Sequence, residues 1–155
     1  MRAALALLMS CTMLAAATSD TSPLPAAWSI SERAPTGTTM LATAGDLRLV
    51  VTLTASDADL ITWFDEQNAL RRKLMPHAHD HDFALTLNEG WLQQAYTAAT
   101  SVDDSERLHL ACARSSDAGH QLVVIAGPPA SVHAQQALIT ETLRQLATHP
   151  TGAKP

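Results

Sequence analysis

The apolar residues change their period several times along the chain, and each change predicts an element. From Asp46 to Thr54 they alternate. Leu47, Leu49, Val51 and Leu53 fall on one face, and Asp46, Arg48, Thr52 and Thr54 fall on the other with Val50. A period of two with one polar face predicts a strand in a sheet covered mainly on one side. From Ser56 to Leu74 the spacing lengthens to three and four, through Leu60, Trp63, Phe64, Leu70 and Leu74, and this predicts an amphipathic helix. Ser56 is placed to cap it, with Asp57 and Asp59 in the first turn. Arg71-Arg72-Lys73 suits the negative end of its dipole, and Pro76 stops it. The expected use of Trp63 and Phe64 is core packing.

The rest of the chain reads mostly as strands. Trp28 to Glu32 alternates, and Thr39 to Thr43 is a weaker second strand. Phe83 to Leu87 alternates again, and Asn88 to Gly90 is a turn. Trp91 to Thr100 reads as a strand with an interruption, followed by an acidic loop through Glu106. Arg107 to Arg114 and Gln121 to Gly127 form a predicted hairpin, with Gly119 where a positive φ is needed. Gly127-Pro128-Pro129 ends the second of these strands. Ala130 to Thr148 is the second predicted helix, with Leu138, Ile139, Leu143 and Leu146 on its apolar side. Short hairpin connections favour antiparallel pairing. The expected fold is therefore α+β: an antiparallel meander with two amphipathic helices covering one face, in two layers.

The succession of elements resembles the PsbP-like α/β/α sandwich families, which include small secreted bacterial members. The resemblance lies in "LRLVVTLTASDADLITWFDEQNALRRKL", "FALTLNEGWLQQAYTAA" and "HQLVVIAGPPASVHAQQALITETLRQLA", spanning roughly residues 46–148. Its matching features are a strand leading into a helix, a turn glycine at Gly90, and a closing strand, Gly127-Pro128 and helix. The resemblance implies a small scaffold used for binding or assembly rather than catalysis.

The first residues stand apart from this pattern. Arg2 precedes an apolar run from Ala3 to Ala17, and Ala15-Ala16-Ala17 suits a cleavage site. That is the pattern of a secretory signal peptide, cut after Ala17. The run is shorter than the ~20 residues a spanning helix requires. An alternative is offered by Leu8-Met9-Ser10-Cys11, which partly resembles a bacterial lipobox and would make Cys11 a lipidated first residue. Residues 18–26 read as a flexible leader, 27–149 as one domain and 150–155 as a tail. The protein is expected in the periplasm or secreted. Its only membrane attachment would be the signal peptide or the lipid.

Charge excludes some partners. The net charge of −5 becomes −6 once Arg2 is removed with the signal. A nucleic-acid binder would show a basic stripe, and the chain has none. After cleavage one cysteine remains, Cys112, so no internal disulfide is possible. It lies in phase with Leu108 and Leu110, which predicts a buried thiol.

The densest chemistry is His77-Ala78-His79-Asp80-His81-Asp82. In an extended segment His77, His79 and His81 share a side, where they could bind Zn²⁺, Ni²⁺ or Cu²⁺. Asp80 and Asp82 could then orient a histidine from behind. Read plainly, the segment is a solvated loop between helix and strand, or His81 joins the core-facing phase of the following strand. Enzyme templates find no match: there is no G-x-S-x-G, no H-E-x-x-H and no phosphate-binding glycine loop. Asp103-Asp104 and Glu106 read as solvated loop acids. The leading expectation is a small exported protein without catalysis that binds another protein, as an envelope assembly factor or an immunity protein. The alternatives are a periplasmic metal-binding protein using His77, His79 and His81, and a hydrolase joining an acid to His109 or His120.

Overall fold

A computed structural model describes residues 22–34, 39–88, 90–99 and 105–149. The expected signal segment, Cys11, Asp103-Asp104 and residues 150–155 lie outside them. The fold is α+β, with one antiparallel sheet of seven strands. In chain order the elements are β1 (Ser29–Arg33), β2 (Thr39–Ala44), β3 (Leu47–Thr54), α1 (Leu60–Leu74), β4 (His79–His81), β5 (Leu92–Ala99), β6 (Glu106–Ser116), β7 (Gly119–Gly127), α2 (Pro129–Ala134) and α3 (Gln136–Thr148). Their order across the sheet is β1-β2-β3-β7-β6-β5-β4. Two meanders thus meet at the β3–β7 pair, and α1 carries the chain from the centre to the far edge.

The helices lie on both faces, not one. Along β7, Val123 and Ile125 join a core with Val132, Ile139, Leu143 and Leu146 of α2 and α3. The alternate residues Leu122 and Val124 join a second cluster with Trp63 and Phe64 of α1. Successive strand residues point to opposite faces, so the sheet is sandwiched and the two-layer expectation fails. The reason is visible along β5 to β7, where Tyr96, Ala111, Ala113 and Leu122 give the second face an apolar patch of its own. Small alanines there let α1 sit close.

Five local expectations shift. The cap of α1 is Asp59, not Ser56: its carboxylate accepts from Thr62 N at 3.0 Å and from the Thr62 hydroxyl at 2.7 Å. Ser56 instead closes a turn by accepting from Ala58 N. The second half of α1 buries Asn68 and Arg71, while Leu70 and Leu74 are exposed. Residues 64, 68 and 71 continue the buried phase of Phe64; 70 and 74 do not. Phe83 to Leu87 forms no ladder. Leu85 is buried, but its backbone N–H and C=O bond the side-chain amide of Gln93 at 2.9 and 2.8 Å. One glutamine replaces the neighbouring strand. The interruption expected in Trp91 to Thr100 is absent, since β5 is continuous from Leu92 to Ala99. The last helix is broken at Gln135 (φ −107°, ψ 23°), although neither Ala134 nor Gln135 is a breaker. Tertiary packing sets that kink, with Val132 and Ile139 both fully buried around it.

Candidate functional site

The histidine segment ends at a sheet edge. His77 lies in the turn after α1, and His79-Asp80-His81 forms β4, paired to Thr97, Tyr96 and Ala95 of β5. Pairing divides the strand by face. Asp80 lies on the side of Tyr96, under α1; His79 and His81 lie on the side of Ala95, with α2 and α3. All are exposed.

Asp80 serves the helix rather than a histidine. Its Oδ1 accepts from Arg71 Nη2 at 3.1 Å and from Gln94 Nε2 at 3.0 Å, and Arg72 Nη2 stands 3.6 Å from Oδ2. Arg71 is buried, and its guanidinium lies 4.1 Å over the Tyr96 ring. His109 stacks on Tyr96, with ring centroids 4.8 Å apart and 13° between planes. Burial raises the Tyr96 phenol above its ordinary pKa, against the Arg71 charge. Burial also holds His109 below its ordinary value, helped by the Arg107 and Arg71 charges.

His120 is spent on packing as well. It is buried in β7; its Nε2 lies 2.7 Å from the Ala58 carbonyl and its Nδ1 3.1 Å from Ser115 Oγ. Only an Nε2–H can donate to a carbonyl, and the serine hydroxyl, which can donate or accept, meets Nδ1. Trp63 covers the ring at 5.1 Å. His120 thus clasps the start of α1 to the sheet. Cys112 is buried, and burial pushes its thiol up to about 12. A thiol so held carries almost no thiolate at neutral pH and is no nucleophile.

On the other face His81 meets a histidine that its own segment does not supply. The His133 ring of α2 lies 6.3 Å from that of His81, and Phe83 meets His133 edge-on at 4.9 Å. His133 falls within the span Ala130 to Thr148 that the pattern predicts as a helix. His77 stays outside the strand. Among the described residues no three metal-ligating groups stand close enough to hold an ion as they are.

A shallow cleft of about 280 Å³ opens between the 86–88 segment and α3. Leu87, Trp91 and Leu143 give it apolar walls, and Arg114, Thr140 and Arg144 are its main polar groups. Arg114 lies 5.5 Å over Trp91. Arg144 is paired to Glu141, whose carboxyl is drawn down to about 2, first by the Arg144 hydrogen bond. No histidine and no acid lines the cleft.

Among the described residues, the α1 face of the sheet is only half covered. Helix α1 packs over the β4–β7 half. Over β1 to β3 no described element lies on that face. Register aligns Leu41, Val50 and Val124 in one row, flanked by Thr39, Thr52 and Leu122 and by Thr43, Arg48 and Ala126. Val50 is 37% exposed at its centre, and the charges on this face are Arg48 on β3 and Glu32, which pairs with Leu41 at the β1 edge.

Compared with known proteins, the chain matches no family model, and no curated protein matches it either.

Proposed function

We propose that this chain is an exported, non-catalytic binding protein of the bacterial envelope, built on a PsbP-like scaffold, whose partner is another protein. An assembly factor or a toxin-inhibiting immunity protein are the fitting contexts. One observation carries this reading: the bare half of the α1 face. A one-sided sheet ordinarily turns charged and polar residues to water. Here Leu41 and Val50 hold the middle beside the α1-covered Val124, with threonines around them, Arg48 on β3 and Glu32 at the β1 edge. Depletion of charge around an apolar centre is the composition of an interface core. The reading of export rests on Arg2 and the apolar run to Ala17. Among the described residues no helix is long and apolar enough to cross a membrane.

The test is affinity capture from envelope extract with the tagged chain and with Val50→Glu. The expected result is a discrete protein held by the native chain and lost by at least ~10-fold in the variant. The variant's thermal midpoint should hold, because an exposed position tolerates the change. A partner retained equally by both would contradict the reading.

Transition-metal binding is a second reading, favoured by the approach of His133 to His81. The hydrolase reading has no observation in its favour, since His109 and His120 are committed to packing and the cleft holds neither.

A further inference from the structure

We infer that His79, His81 and His133 form a site for one divalent transition-metal ion, joining edge strand β4 to helix α2. The inference goes beyond the protein-binding reading and does not depend on it. The bare face lies on the α1 side of β1 to β3; these histidines lie on the opposite side, at the other edge.

His79 and His81 are two apart on a paired strand, so their side chains leave the same face about 6–7 Å apart. His133 arrives from a different element. Ligands from separate elements are what distinguish a built site from a flexible run of histidines. Both supports are fixed. Strand β4 is held by three consecutive pairs to β5, and Asp80 binds Arg71 and Gln94 on its back. Helix α2 is held by Val132, fully buried, and by Ser131 Oγ donating to Asp46 Oδ2 at 2.6 Å. Phe83 N–H bonds the His81 carbonyl, which turns the chain so that the Phe83 ring meets His133.

The remaining gap is small. An ion bound by two imidazoles at ~2.0–2.1 Å places their centroids roughly 5 Å apart. The His81 and His133 rings stand 6.3 Å apart, so about 1 Å of closure is required. All three side chains are exposed, and among the described residues none of their rings forms a hydrogen bond or ion pair. Rotation about χ1 and χ2 closes the gap without breaking a bond. Three neutral imidazoles, with water completing the shell, suit Cu²⁺, Ni²⁺ or Zn²⁺ rather than Ca²⁺ or Mg²⁺.

The experiment is titration of the full mature chain with Cu²⁺ and Zn²⁺, by calorimetry and by Cu²⁺ electron paramagnetic resonance. Single variants His77→Ala, His79→Ala, His81→Ala and His133→Ala are compared. The expected result is one ion per chain, bound by three nitrogens. Affinity should fall at least ~10-fold in the His79, His81 and His133 variants and hold in His77→Ala. Apo thermal midpoints should stay level, so lost binding is not lost folding. Three outcomes would overturn the inference: no stoichiometric binding, binding unchanged in His133→Ala, or binding lost in His77→Ala but not in His133→Ala. The last would leave the hexapeptide alone as the chelate.

Discussion

His109 is a residue whose proton is set by what surrounds it. Tyr96 stacks on its ring, with Arg71 lying over that tyrosine, and burial and two arginine charges disfavour the imidazolium. The sign follows from the lowered pKa. On acidification the unfolded chain takes up this proton first, so His109 contributes stability above its ordinary value of ~6.5. That contribution is lost as pH falls from there through the folded value. Urea melts of the native chain and of His109→Gln, taken on either side of ~6.5, should therefore differ in how far stability falls with pH. The native chain should lose more stability in acid than the variant; equal losses would refute this account of the ring. Its packing was not readable from the alternation of "RLHLACAR", which put His109 on the polar side. The pattern ranks residues by polarity, whereas a tyrosine and a helix arginine supplied by other elements decide its surroundings. Cys112 was legible because its neighbours in phase, Leu108 and Leu110, are apolar themselves.

At the scale of elements, the attachment of α1 to the sheet is the feature that patterning misplaced. The helix was expected to bury Leu70 and Leu74, yet it buries Asn68 and Arg71. Arg71 Nε already lacks a hydrogen-bond partner, so the Asp80 contact to Nη2 matters the more. Asp80→Asn should destabilise the fold by about 1–3 kcal/mol, the cost of weakening the partner of a buried cation. Water screens the exposed side of that pair and keeps the figure at the lower end. Asp82→Asn should change stability by less than ~0.5 kcal/mol, because Asp82 makes no ion pair among the described residues. Chemical denaturation of both variants checks this; equal effects would mean that Asp80 does not anchor α1. The β6–β7 hairpin was legible, with Gly119 at φ +128° where a Cβ would strike the Thr54 carbonyl, although its strands run to Ser116 and from Gly119 and shorten the expected connection to two residues. The strand expected at Phe83 to Leu87 was legible in its facing and not in its bonding. Leu85 points inward as alternation requires, but Gln93 takes the place of a ladder.

For the whole molecule, the antiparallel α+β class followed from short connections and two periodicities. The layering did not, because a helix's apolar stripe says that it packs and not on which face. Placing α1 opposite α2 and α3 leaves half of one sheet face bare among the described residues, and it sets His133 beside β4 rather than apart from it. Neither surface could be found in the order of residues alone. The bare face needs the register of β2, β3 and β7, and the histidine pair needs the fold to join positions 81 and 133. We propose that the bare half-face meets a protein partner. It is tested most directly by placing a photo-crosslinking amino acid at Val50 in the full-length chain, irradiating living cells, and comparing it with the same probe at Asp117 in the exposed β6–β7 hairpin. The account predicts one discrete protein adduct from Val50 and none of that mass from Asp117; no adduct at Val50, or the same adduct from both positions, would contradict it.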